Sequence, residues 1–156
     1  MEINYLKGDA TCPQTAGSKI LAHICNDVGG WGKGYVLAIS KRWKEPENEY
    51  RFWYNNRKNN NFALGKIQIV EVSKNLWVCN MVAQHGLGWH DGKPPIRYDA
   101  LERCLIPLNS CARFVQASIH LPRIGCGLAG GKWSLVEEII KKKLTVPVYV
   151  YDFGSQ

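Results

Sequence analysis

Eight of the chain's 15 glycines fall in two short runs, Gly29-Gly30-Trp31-Gly32-Lys33-Gly34 and Gly125-Cys126-Gly127-Leu128-Ala129-Gly130-Gly131. Each run joins an apolar, strand-like segment to a segment of helical spacing. A loop with so few side chains lets backbone N–H groups approach an anion, and the helix that follows points its positive end at the same place. Two such loops suit a ligand carrying two phosphates.

Around these loops the chain alternates between strand and helix patterns. Ile3 to Leu6 and Lys19 to Cys25 read as strands, the second a near-continuous apolar run of the kind found in a buried strand. Val36, Ile39 and Trp43 recur at helical spacing, and Pro46 suits the start of a second helix with Tyr50, Trp53 and Tyr54 on one face. Ile67 to Val72 and Leu76 to Gln84, joined by Ser73-Lys74-Asn75, predict a hairpin. Leu101, Leu105, Leu108, Ala112 and Val115 form a helical stripe in which Pro107 predicts a kink or a late start. Ser118 to Leu121 is a short strand, Ser134 and Glu137 form a capping-box pattern for a last helix, and Val146 to Tyr151 is a last strand. The fold class expected from this alternation is an α/β sandwich with a mixed sheet.

With 156 residues, 46% of them hydrophobic, residues 1–156 are expected to form a single domain around one core. The six cysteines show no close-paired spacing, and several lie in apolar runs where a thiol packs as a small hydrophobe. No stretch approaches the roughly 20 apolar residues of a membrane span, and no signal-peptide core follows Met1, so a reduced, cytoplasmic protein without a membrane partner is expected. The net charge of +7 favours acidic partners. No nucleic-acid motif accompanies it, and sequence-specific nucleic-acid binding is not expected. The run Lys141-Lys142-Lys143 reads as a solvated helix end, and Asn55 to Asn61 as an exposed connection. His85 and His90 flank Gly86-Leu87-Gly88-Trp89, a turn-rich stretch that reads either as a lid or as a plain surface loop; their spacing is poor for zinc, and neither a metal nor a cofactor is expected.

Gly125, Gly127 and Gly130 also match a dinucleotide-binding G-x-G-x-x-G, with Asp152 about 20 residues on. That reading is set aside, because the chain to Gln156 leaves no room for the later strands of such a fold and the first glycine run stays unexplained.

Four segments taken in order carry a stronger signal: Gly8-Asp9-Ala10-Thr11, Ala22-His23-Ile24-Cys25-Asn26, Asn80-Met81-Val82-Ala83-Gln84 and Leu121-Pro122-Arg123-Ile124-Gly125-Cys126-Gly127-Leu128. Over nearly the whole chain they resemble the macro domain. The first glycine loop and the Pro-Arg-Ile-Gly-Cys-Gly run are most similar to the branch with terminal ADP-ribose glycohydrolases and a yeast ADP-ribose 1''-phosphate phosphatase. The resemblance implies a three-layer α/β/α sandwich with a mixed central sheet and ADP-ribose, free or attached to a macromolecule, in a cleft at the strand ends. It further implies that Asp9 accepts a hydrogen bond from the adenine amino group and that the Ala10 N–H contacts the ring. Asn26 with Gly29, Gly30, Trp31, Gly32, Lys33 and Gly34 would hold the distal ribose. Ile124 and the Gly125, Cys126, Gly127, Leu128 and Ala129 backbone would wrap the pyrophosphate, and Tyr151 or Phe153 would stack on adenine.

Bland roles stand beside these. Asp9 also suits a turn cap, Asn26 and Asp27 a strand-to-loop turn, and His23 a packed core histidine. The resemblance breaks where the chemistry lies: the glycohydrolases carry a catalytic aspartate where this chain has Ala129, and a lysine at the strand end where it has Val82-Ala83-Gln84-His85. A water positioned by loop donors remains a route to hydrolysis, with Asn26, Asp27, His23 and Lys33 as the groups to test, Asp27 as base and Lys33 offsetting phosphate charge. Two classes therefore stand: a hydrolase of an ADP-ribosyl derivative, favoured for a domain with no attached effector region, and a non-catalytic ADP-ribose-binding module.

Overall fold

The computed structural model describes residues 2–153. Six strands, β1 (Ile3–Lys7), β2 (Lys19–Asn26), β3 (Ile67–Ser73), β4 (Leu76–Gln84), β5 (Ser118–Leu121) and β6 (Val148–Asp152), form one sheet in the order β1-β6-β5-β2-β4-β3. All neighbours are parallel except β3 and β4, the hairpin expected from the Ser73-Lys74-Asn75 turn, where Asn75 takes φ 62°. The sheet is therefore mixed, and the fold is the three-layer sandwich expected.

Four helices cover its two faces: α1 (Tyr35–Arg42), α2 (Glu45–Asn55), α3 (Tyr98–Val115) and α4 (Trp133–Lys143). Side chains alternate along β2, so Leu21 and Cys25 pack with Val36, Ile39, Tyr50 and Trp53 of α1 and α2, while Ile20 and Ala22 pack with Leu101, Leu105, Val136 and Ile140 of α3 and α4. Strands buried on both faces read as continuous apolar runs, which is why β2 and β4 stood out in the sequence.

A late helix start at Pro107 and a side-chain cap at Ser134 are not found. Helix α3 starts at Tyr98, nine residues before Pro107, and runs through it to Val115. Pro107 lies on the exposed face, and the buried stripe of Leu101, Leu105 and Leu108 carries the helix past it. Nor does Ser134 cap α4: Lys132 is the N-cap, no side chain bonds there, and Glu137 instead accepts a hydrogen bond from the Tyr5 hydroxyl on β1. A partner on another element has taken the carboxylate that a local capping box needs.

The topology leaves one crevice. From β2 the chain crosses over one face through α1 and α2 toward β4; from β5 it crosses over the opposite face through α4 toward β6. Adjacent parallel strands whose connections depart to opposite faces open a gap at their carboxyl ends, and ligands of open α/β sheets bind there. Both glycine loops start from this pair.

Candidate functional site

The first loop is held from beneath by Asn26. Its Oδ1 accepts the N–H groups of Val28 and Gly30, both at 3.0 Å, and its Nδ2 donates to the Gly30 carbonyl at 2.9 Å. The Tyr50 hydroxyl donates to the Asn26 carbonyl at 2.7 Å and accepts the Gly29 N–H at 3.1 Å. Gly29 has φ +78°, and a Cβ there would sit 2.5 Å from the Tyr54 ring, so no other residue fits without strain. Gly32, by contrast, has nothing within 4 Å of the point a Cβ would occupy. Trp31, Gly32, Lys33 and Gly34 have no backbone acceptor for their N–H groups among the described residues. Lys33 is exposed on this loop.

The second loop closes on itself: Gly131 N–H donates to the Gly125 carbonyl at 2.7 Å and Gly130 N–H to the Gly127 carbonyl at 3.0 Å. A Cβ at Gly131 would lie 2.5 Å from the Gly125 oxygen, whereas at Gly127 it would meet nothing within 4 Å. The N–H groups of Cys126, Gly127 and Leu128 have no backbone acceptor among the described residues, as a loop that donates to an anion requires. Ile124 and Ala129 are buried; the Ile124 N–H donates to the Pro122 carbonyl at 2.7 Å, and the Ala129 carbonyl accepts the Ile96 N–H at 3.1 Å. Burial raises the Cys126 thiol pKa, and the thiol lies 3.4 Å from the Ile124 carbonyl, so it supplies no thiolate.

A third segment bridges both loops. Leu87 lies over Gly30, 3.2 Å from where its Cβ would be, and Trp89 over Gly130 at 2.9 Å; Leu128 likewise lies 3.1 Å from the Cβ point of Gly34. All three side chains are more than half exposed, an apolar rim around two polar backbone cradles. The segment is anchored where it begins: Asp27 Oδ2 lies 2.7 Å from His85 Nδ1, and Asp27 Oδ1 accepts the Gly86 N–H at 2.9 Å. Nothing in the sequence paired these residues, which are separated by 58 positions and meet only because β2 and β4 end side by side.

The remaining candidates separate cleanly. Asp9 Oδ1 accepts both the N–H and the hydroxyl of Thr11, at 2.8 and 2.7 Å, and Oδ2 lies 3.7 Å from Arg42 Nη2; the turn-cap role is real and leaves Oδ2 available. Ala10 is buried, and its N–H has no backbone acceptor among the described residues.

Four further side chains are placed as follows. His23 is 1% exposed, edge-on to the Trp31 ring, and bonded through Nε2 to Asn80 Oδ1; burial holds its pKa down to about 4, and among the described residues Nδ1 is unpartnered. Trp31 is a core side chain, buried at 3% exposure, with its indole N–H bonded to Ser40, so only its backbone faces the crevice. Tyr151, also 3% exposed, bonds His120 Nδ1 at 2.8 Å and accepts the Gln14 N–H, which leaves Phe153, 67% exposed, as the stacking candidate. Asp27 has both oxygens engaged and positions His85 and Gly86 rather than standing free as a base.

A separate concavity of about 790 Å³ opens at the opposite end of the sheet, where β2, β5 and β6 begin, between Thr15, Ser118, Thr145 and Tyr149. Its lining carries no carboxylate, imidazole or thiol. Among the described residues, no cluster of three or more His, Cys, Asp or Glu side chains could hold a metal, and no helix is long and apolar enough to cross a membrane.

No family model matches the chain. A macrodomain protein from Streptomyces coelicolor is similar in structure with a TM-score of 0.87, 50% identical, covering 98% of this chain and 100% of that one. The DarTG protein of Thermosipho africanus in complex with ADP-ribose shares the fold at TM-score 0.66 and 21% identity, over 85% of this chain and 37% of that one. Among curated relatives, the mouse chromodomain-helicase-DNA-binding protein 1-like is 32% identical over 97% of this chain, which spans only 18% of that protein's length. An ADP-ribose 1''-phosphate phosphatase of Meyerozyma guilliermondii is 25% identical over 96% of this chain and 98% of its own.

Proposed function

The chain belongs to the macrodomain family, and from that premise we propose that its crevice binds ADP-ribose and hydrolyses an ADP-ribosyl derivative. One observation carries the proposal. Two backbone cradles, opened at Gly32 and Gly127 and rimmed by Leu87, Trp89 and Leu128, converge over the switch point between β2 and β5. A diphosphate bridging two pentoses suits two adjacent donor loops, with Gly125 to Ala129 on the pyrophosphate and Gly29 to Gly34 on the distal ribose. Asp9 Oδ2, beside the unpaired Ala10 N–H, suits an adenine edge, and Phe153 suits its face. The ADP-ribose bound by the Thermosipho protein and the reaction named for the Meyerozyma relative support the ligand and the reaction class.

Water is the nucleophile in this reading, because Ala129 offers no carboxylate and the Cys126 thiol is protonated. Loop amides and Lys33 would oppose the phosphate charge. Calorimetry tests the binding half: a 1:1 isotherm with ADP-ribose and much weaker binding of NAD are expected, and equal or tighter NAD binding would reject it. Product analysis after incubation with ADP-ribosylated proteins, ADP-ribosylated DNA and ADP-ribose 1''-phosphate tests the chemistry. If nothing is consumed while ADP-ribose binds, the domain is a binding module.

A further inference from the structure

We propose that His85, oriented by Asp27, is the general base and acid of this hydrolysis, an assignment that rests on the hydrolase reading above. A carboxylate only accepts hydrogen bonds, so the 2.7 Å contact with Asp27 Oδ2 puts the hydrogen of a neutral ring on Nδ1 and the lone pair on Nε2. Because Asp27 Oδ1 holds the Gly86 N–H, the carboxylate cannot turn away. The Asp27 side chain is 16% exposed and that of His85 58%, so a sheltered acceptor fixes a ring that remains open to water.

Placement supports the same role. Asp27 lies between Asn26, which organises the first glycine loop, and Gly29; two residues after His85, Leu87 covers Gly30. The imidazole therefore stands at the rim of the loop assigned to the distal ribose. His23 and His120 are sealed in the core, and His90 lies farther along the bridging segment, where its backbone pairs with Lys93.

In the step, Nε2 takes a proton from water as the water oxygen bonds to the anomeric carbon of the distal ribose. The bond from that carbon to the departing oxygen or nitrogen breaks, and the imidazolium returns the proton to the departing atom. ADP-ribose and the unmodified acceptor leave, with water the only co-reactant and nothing oxidised or reduced. Asp27 is a positioning residue.

The test uses the whole chain and the conjugate that the wild type consumes. In His85→Asn the amide still donates to Asp27 and keeps the bridging segment tethered but offers no base, so kcat should fall about 10²–10⁴-fold. KM and ADP-ribose affinity should stay near wild type. Added imidazole should restore turnover to His85→Ala. Nitrogen NMR, a readout independent of activity, should find the neutral His85 ring protonated at Nδ1 in the wild type and should find that preference lost in Asp27→Asn. Full activity in His85→Asn, failure of imidazole to rescue His85→Ala, or a ring protonated at Nε2 would each overturn the assignment while leaving the hydrolase reading intact. A wild type inert toward every conjugate would remove the hydrolase reading and this role with it.

Discussion

The hydroxyl of Tyr50 on α2 donates to the main-chain carbonyl of Asn26, 2.7 Å away at the end of β2, and ties the first glycine loop to the helical layer behind it. The same oxygen receives the Gly29 N–H. Burial, the largest influence on it, drives the phenol pKa far above its ordinary value and keeps it a neutral donor. Tyr50→Phe should leave a buried carbonyl and an amide unpaired, costing about 1–3 kcal/mol of stability. Because the amide belongs to the cradle, ADP-ribose affinity should fall as well. Urea unfolding and calorimetry on the same variant check both; unchanged affinity would separate the loop from its anchor.

Gly127 and Gly29 should respond in opposite ways. Open space surrounds the Cβ point of Gly127, so Gly127→Glu should fold with an unchanged thermal midpoint and lose ADP-ribose binding through steric block and like charge. At Gly29, the positive φ and the Tyr54 ring make Gly29→Ala destabilising by about 1–2 kcal/mol from backbone strain alone. A folded Gly127→Glu that still binds would place the pyrophosphate elsewhere.

Asp9 is tested with two substitutions. Asp9→Asn keeps the oxygen that holds Thr11 but replaces the second acceptor with a donor, so the fold should be retained. ADP-ribose binding should weaken by about 1–3 kcal/mol, the cost of an unpaired buried amino group. An inosine analogue, which presents a carbonyl there, should lose little. Asp9→Ala should weaken both ligands further, since it also releases the turn. Equal losses in Asp9→Asn would confine Asp9 to the turn.

Two buried histidines set the acid limit. Burial lowers the pKa of both His23 and His120 to about 4, from an ordinary value near 6.5, so the unfolded chain binds more protons than the fold between those values. Their contribution is complete above pH 6.5 and disappears as pH falls toward 4. Between pH 7 and pH 5 each should remove about 2 kcal/mol, and His120→Gln should flatten the slope by one histidine's share. Urea midpoints at the two pH values measure this, and a flat profile would contradict the neutral, buried state of both rings.

Local signals made much of this molecule legible. Apolar runs marked β2 and β4, which are buried on both faces, and the glycine clusters marked the two loops, because positive φ and close packing exclude a Cβ at Gly29, Gly125, Gly130 and Gly131. The order of four motifs pointed to the family. What the residues did not disclose are contacts between distant segments. Whether Trp31 faces ligand or core depends on Ser40 and His23, and whether Tyr151 stacks on a base or braces His120 depends on how β6 lies beside β5. Glu137 left its local cap for Tyr5 on another strand. Asp27 and His85 met only when β2 and β4 paired in parallel and their carboxyl ends came to the same end of the sheet. Spacing and composition determined which backbone segments approach the crevice, since those depend on near neighbours. Which side chains enter it was decided by the tertiary structure, where each polar group found its partner across the sheet.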